Sequence, residues 1–216
     1  ENGLRVERGR SHRYHAPGNI NLRRGTIAFW IKFDQPVGNI THQLLGITAV
    51  GRAPLVFGVR GRYGRIRVSG PWGSWDDDIY FRAEPWEADT WYHMALAWDE
   101  TVGIRLFKDG ELTYSMDATW ETEDFEPDAI AIGTWSPWGG TQRPFEFDEL
   151  RVFSRALSDD EVREVHEERS ELPAIEAAWT PEIAAQRAAY LGWDGQDLLA
   201  IAPAGESDTL YVRQAG

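Results

Sequence analysis

Glu146-Phe147-Asp148-Glu149-Leu150 is where carboxylates and a strand-like pattern coincide in this chain. Residues two apart on a strand share a face, so Glu146 and Asp148 point one way and Glu149 the other. Retaining glycoside hydrolysis needs two carboxyl groups roughly 5 Å apart across the scissile bond. A single pair on one face, with the third acid turned away, reads as a solvated rim. β-Elimination asks instead for a Tyr or His base beside cations that neutralise a uronate. Two segments offer those types: His12, Arg13, Tyr14 and His15, and Arg60, Arg62, Tyr63, Arg65 and Arg67. Each is short and flanked by turn residues, and the second reads as arginines on a solvated strand face. His93, inside WYHMALAW, reads as a strand histidine with a satisfied partner. There is no metal-protease helix motif, no G-x-S-x-G elbow and no Gly-rich phosphate loop before a helix.

The 11 tryptophans in 216 residues are several times ordinary usage. Trp30, Trp91 and Trp98 sit in strong strand patterns and are expected in the core. Trp72 and Trp75 lie in GPWGSWDDD, and Trp135 and Trp138 in GTWSPWGG; both segments are rich in Gly, Ser and Pro and read as loops. A large ring on a loop either folds back as a local core or meets a partner. Sugar sites use such rings, whose flat faces stack on C–H groups while nearby carboxylates and amides bond hydroxyls. Asp76, Asp77, Gln142 and Arg143 are at hand for that, and Trp72, Trp75, Asp76, Trp135, Trp138, Gln142 and Arg143 form the candidate ligand-binding set.

The elements that must hold these residues are mostly strands. Segments at 26–33, 55–59, 65–69, 78–82, 91–98, 103–108, 111–116, 129–133 and 145–153 are β-branched or aromatic, short, and separated by Gly, Pro, Asn and Asp. This is the pattern of an all-β, two-sheet sandwich. Asp109-Gly110 predicts a tight hairpin turn. Ile104, Leu106 and Lys108 alternate with Gly103, Arg105 and Phe107, which predicts a half-buried strand with a polar face turned out. Ser158 with Glu161 three residues on predicts a capped short helix over 158–169. A second helix is expected at 181–191 and two more strands at 198–202 and 209–213. The division expected is one domain over 1–169 and an extension over 170–216, packing on the sandwich or on a neighbour.

Composition bounds the partners. Thirty-five acidic residues oppose 22 basic ones, for a formal charge of −13, which argues against nucleic acid or an anionic membrane as the main partner. No apolar run approaches the ~18 residues of a membrane span. The absence of cysteine excludes disulfides, Cys-based zinc sites and thiol chemistry. A start at Glu1 reads as a processed or excised piece of something longer.

Taken in order, GTIAFWIKFD (25–34), WYHMALAWDE (91–100), IRLFKDGEL (104–112), IAIGTW (130–135) and FDELRVFSRALSDDEV (147–162) resemble the laminin-G-like, concanavalin-A-like jelly-roll family. The last segment is the most specific: an acidic pair, a short strand, an R-A-L-S turn and a small capped helix. The resemblance covers roughly residues 3–166. It implies two antiparallel sheets face to face, and binding of glycans or proteins as a secreted or cell-surface module; the missing disulfides are compatible with a bacterial one. Hydrolases on this sandwich carry E-x-D-x-E, and here the fifth position is Leu150, so the resemblance does not extend to their acids. It also implies one calcium ion, held by Asp148 with Glu7 or a nearby N-terminal carbonyl, although His12 and Arg13 stand where relatives carry a further acid. The adjacent acids Asp76, Asp77 and Asp78 alternate sides on a strand and cannot all converge. The function expected is non-catalytic polysaccharide recognition. The alternatives are an assembly protein using its loops and tail for subunit contacts, and a lyase or hydrolase.

Overall fold

The computed structural model describes residues 3–37, 41–49, 52–60, 65–70, 79–82, 86–122, 127–133, 143–168, 199–203 and 209–214. Its strands in chain order are β1 (Leu4–Val6), β2 (Ser11–His15), β3 (Arg24–Phe33), β4 (His42–Ala49), β5 (Arg52–Arg60), β6 (Arg65–Ser69) and β7 (Ile79–Arg82). They continue as β8 (Trp91–Asp99), β9 (Gly103–Lys108), β10 (Glu111–Asp117), β11 (Ala129–Gly133) and β12 (Phe145–Phe153). Helix α1 (Asp159–Glu167) follows, then β13 (Leu199–Pro203) and β14 (Thr209–Gln214). All strand pairs are antiparallel. An eight-stranded sheet runs β10-β9-β8-β3-β12-β14-β13, with β1 also on β12, and a six-stranded sheet runs β2-β11-β4-β5-β6-β7. The helix expected at 181–191 lies outside the described residues.

Alternation builds the core. In β3, Ile27, Phe29, Ile31 and Phe33 face inward, as do Tyr92, Met94, Leu96 and Trp98 of β8. They meet Leu45, Ile47, Leu55, Phe57 and Val59 from the other sheet. Phe29 joins the layers, stacked on Phe147 at 4.7 Å and edge-on to Phe57 at 5.2 Å. Such aromatic pairs add about 0.5–1.5 kcal/mol to the area they bury.

The opposite face of the larger sheet is not left to water. Ala28, Ala95 and Ala97 are small, and their shortness makes room for Leu157, Val162 and Val165 of the helix segment, which close over them and over Phe107. The polar outer face expected for β9 is therefore corrected: Phe107 is fully buried beneath α1. The helix is fixed at its start. Ser158 accepts from the Glu161 N–H and Glu161 accepts from the Ser158 N–H, the expected capping box. Thr26 Oγ1 donates to Arg155 O and accepts from the Leu157 N–H, both at 2.9 Å, tying the preceding turn to β3.

Asp109 and Gly110 both have positive φ, 51° and 78°, as a two-residue hairpin turn of the primed type requires. The hairpin then pairs Glu111 with Lys108 and Leu112 with Phe107. The burial expected for Trp30 and Trp98 is present. Trp98 lies in the core, and Trp30 is covered on the outer face, where His166 stacks on it at 5.3 Å. Trp91 is only half-buried.

The inner position of Trp98 sets an expected outcome. Its ring is 1% exposed and its indole N–H donates to Asn21 O at 3.2 Å. Trp98→Ala should lower unfolding free energy by about 3–5 kcal/mol in a urea titration. A loss under 1 kcal/mol would show that the two sheets do not close over this ring.

Candidate functional site

One end of the sandwich collects the polar groups that loops can offer. Phe33, His42, Val59, Phe145 and the last residue of β1 all lie there, as the strand registers require. Immediately past β3, Asp34 and Gln35 each receive a guanidinium. Arg5 makes a bidentate bond to Asp34, at 2.8 and 2.5 Å, and Arg143 donates to Gln35 Oε1 at 2.6 Å. Arg5 also donates to Glu7 at 3.2 Å, and the Asp34 bond first of all raises its pKa.

Behind this rim a register row crosses the outer face of the eight-stranded sheet: Arg5 opposite Glu146, Glu146 opposite Lys32, Lys32 opposite Trp91. Glu146 is bonded to Lys32 at 3.0 Å and lies 3.9 Å from Arg5, and Lys32 Nζ sits 5.1 Å from the centre of a Trp91 ring. The indole of Trp91 in turn needs Gly3, where a Cβ would stand 2.7 Å from its Cη2. On the inner margin, Lys108 Nζ lies 4.4 Å from Trp86 and 4.3 Å from Tyr92, and burial lowers its pKa.

His42 closes the inside of this end. It is 2% exposed and sits against Phe33 at 4.8 Å and Phe145 at 6.3 Å between ring centroids. Its Nδ1 has no hydrogen-bond partner among the described residues. Burial, and second the charge of Arg143, push its pKa from 6.5 down to about 4.

The acidic strand departs from straight alternation. Asp148 pairs with Trp30 and Arg151 with Ala28, so Glu149 and Leu150 together oppose Phe29. This is a β-bulge, with Glu149 at φ 48°. Its N–H donates to Asp148 Oδ1 at 2.9 Å, and its carboxylate lies 3.6 Å from Arg151. After Asp148 the outer face is continued by Arg151, whose guanidinium reaches Glu168 at 2.9 Å, while Leu150 turns into the core. The third acid of a catalytic strand is thus replaced by a buried arginine.

The strand register does not bring Glu7 and Asp148 together as two carboxylates of the calcium site that the resemblance implies. Leu4 pairs with Phe147 and Val6 with Phe145, so Asp148 stands level with Gly3 while Glu7 stands level with Pro144. Four residues of strand put them about 13 Å apart. Glu7 is engaged by Arg5, and no group of three or more His, Asp or Glu among the described residues could hold a metal ion.

Of the candidate ligand-binding residues, Trp72, Trp75, Asp76, Trp135, Trp138 and Gln142 lie outside the described residues, as do the DDD cluster, Arg62 and Tyr63. Only Arg143 of that set is described. The strand framework does not root the two tryptophan segments together. Ile132 pairs with Leu45 and β12 begins at Phe145, so the β11–β12 connection is rooted at the His42 end. Arg65 pairs with Arg60 and Ser69 with Val56, so β6 runs away from that end before its connection to β7 begins. The two elimination clusters are also separated. β2 and β6 are four strands apart, about 19 Å. Tyr14 is buried in the core, and Arg13 donates to Thr48 Oγ1 at 3.0 Å. His93 is fully buried, with its backbone N–H donating to Asp109 Oδ1 at 2.9 Å and its ring against Trp30 and His166. Sequence reasoning missed Arg5, Asp34, Gln35 and His42; the available signal was Asp34-Gln35-Pro36, polar turn residues directly after the strongest strand.

Two face-to-face antiparallel sheets, an acidic strand with a bulge and a capped helix on the outer face define a lectin-type jelly roll. Residues 9–163 match the laminin G family model described as the concanavalin A-like lectin/glucanases superfamily, and the chain belongs to that family. No curated protein matches the sequence. Among solved structures, the receptor-binding domain of botulinum neurotoxin type G is similar over 78% of this chain and 47% of its own, at 12% identity and TM-score 0.55. A botulinum neurotoxin type C structure, described as cell entry dependent upon interaction with two ganglioside molecules, is similar over 79% and 47%, at 10% identity and TM-score 0.56. The sialidase of Trypanosoma rangeli in complex with sialic acid is similar over 68% and 23%, at 17% identity and TM-score 0.51. This chain spans less than half the length of each, and at these identities the likeness is one of fold.

The burial of His42 makes stability depend on pH with a definite sign. Between pH 6.5 and about 4 the unfolded chain binds a proton at His42 that the folded chain does not, so stability falls as pH falls through that window. At pH 5 the loss is about 2 kcal/mol. Thermal unfolding of wild type and His42→Phe at pH 7 and pH 5 should show the larger drop in wild type. Equal drops would remove His42 as the cause.

Proposed function

We propose that this chain is a non-catalytic carbohydrate-recognition module, acting outside the cell and binding polysaccharide at the His42 end. The observation that carries the reading is the Asp34–Gln35 pair with its two guanidiniums. Arg5, Arg143, Asp34 and Gln35 present planar donors and acceptors, partly exposed, at the end where the β11–β12 connection with Trp135, Trp138 and Gln142 is rooted. Planar polar groups bonded to one another are held in place before a ligand arrives, which lowers the ordering cost of binding. Trp91 ends the row behind them. The fold supports the reading, since solved neighbours include a toxin whose cell entry depends on gangliosides and a sialidase holding sialic acid.

Catalysis is disfavoured by the same geometry. Glu146 is bracketed by Lys32 and Arg5, Glu149 sits on a bulge beside Arg151, and Leu150 faces the core. A second reading, assembly through protein contacts, is favoured by β13, which among the described residues is paired on one side only, by β14. An open edge can accept a strand from a partner.

A polysaccharide panel in affinity electrophoresis, followed by calorimetry on the best binder, tests the first reading. Binding without release of reducing ends or unsaturated products is expected. Gln35→Ala should weaken it about 3- to 10-fold, the size of one hydrogen bond, and Trp138→Ala about 5- to 100-fold, as for an interface anchor. No binding across the panel, with self-association in solution, would favour the assembly reading. Turnover lost on Glu146→Gln would overturn the non-catalytic one.

A further inference from the structure

The molecule carries a formal charge of −13, and most of its described arginines are answered by a carboxylate, as Arg5 is by Asp34 and Arg155 by Glu161. Three at one corner are not. Arg8 and Arg10 are exposed in the turn between β1 and β2, which is closed by the Arg10 N–H donating to Glu7 O at 3.0 Å. Among the described residues no ion pair or side-chain hydrogen bond engages either guanidinium. Arg143, also exposed, donates to the neutral Gln35 and has no carboxylate partner among the described residues. Glu7, the acid in the same turn, is taken by Arg5.

The backbone brings the three together. Val6, the last residue of β1, pairs with Phe145, the first of β12, so the turn that carries Arg8 and Arg10 leaves the sheet at the corner that Arg143 approaches two residues before Phe145. The end of β11 closes the corner: a Cβ at Gly133, φ 93°, would stand 2.6 Å from Arg10 O and 2.7 Å from Val6 Cγ1. The charge of Arg143 is felt inside as well, where it helps to lower the His42 pKa.

We infer that Arg8, Arg10 and Arg143 form a subsite for the anionic groups of an acidic polysaccharide, either uronate carboxylates or sulfate esters. Guanidinium offers a planar fork that takes either oxyanion in bidentate fashion. The inference rests on the glycan reading and adds the ligand's charge to it. It also places a basic corner on an acidic protein, so the long-range field repels a polyanion that the corner itself attracts.

Calorimetry with three polymers separates the outcomes: polygalacturonate for carboxylates alone, dextran sulfate for sulfate esters alone, and a neutral β-glucan. Binding is expected to one or both polyanions, with affinity falling roughly tenfold between 50 and 200 mM salt as counterions are released. The triple variant Arg8→Gln, Arg10→Gln, Arg143→Gln should lose at least tenfold with its melting temperature unchanged. Arg23→Gln, at the opposite end, should lose nothing. Preference between the two polyanions names the anionic group. Polyanion binding that survives the triple variant, or binding to the neutral glucan alone, overturns the subsite and leaves the glycan reading standing. No binding to any of the three also overturns the subsite, and the polysaccharide panel then decides the glycan reading separately.

Discussion

The rest of the structure depends on how β12 is paired. On one side it follows β3 along its whole length, and this contact joins the last strand of the sandwich to the first long one. Its other edge is divided: β1 takes Phe145 to Phe147, and β14 takes Leu150 to Phe153. The bulge, where Glu149 and Leu150 together oppose Phe29, falls where one partner gives way to the other. The ladder with β3 is interrupted between Asp148 and Arg151, and inward alternation resumes in phase at Leu150 and Val152. One extra residue, with Glu149 at φ 48°, sets that phase. The acidic pair that marks the strand in the sequence is therefore first of all a device of register.

The two outer surfaces of the larger sheet follow from residue size and charge. Where the outer positions are Ala28, Ala95 and Ala97, a helix fits, and its buried valines each contribute roughly 1.5–3 kcal/mol. Where they are Glu146, Lys32 and Trp91, a ladder of alternating charge ends on a ring. At the strand ends, by contrast, backbone is not committed to a ladder and planar side chains can be aimed by turns.

The fold was legible because its signals are local and redundant. TIAFWIKF and WYHMALAW alternate, Asp109-Gly110 needs two positive φ values, and Ser158 with Glu161 closes a box three residues long. β2 and β4 were harder to read. SHRYH buries only Tyr14 fully, and HQLLGITA is buried on both faces, with Gly46 within it, so neither shows a period of two. The site was less legible for a physical reason. Ligand geometry depends on which ends of which strands coincide, and that is a property of register summed over both sheets. Arg5 meets Asp34 across 29 residues and Arg143 meets Gln35 across 108. The tryptophan segments looked alike in composition, yet β6 and β11 root them toward different ends. Glu7 and Asp148 looked like partners, and pairing between Leu4 and Phe147 sets them four residues apart.

The shared edge of β12 has one more consequence, a topological one. β14 runs along it from Thr209, opposite Phe153, to Val212, opposite Leu150; β1 begins at Leu4, opposite Phe147, and runs in the same direction. The two strands lie head to tail, and the backbone comes close to tracing a closed loop. A circular permutant joining residue 214 to residue 3 by a short linker, and opened at the Asp109-Gly110 turn, would keep every ladder in both sheets. The order of residues along the chain could change while their neighbours in space did not.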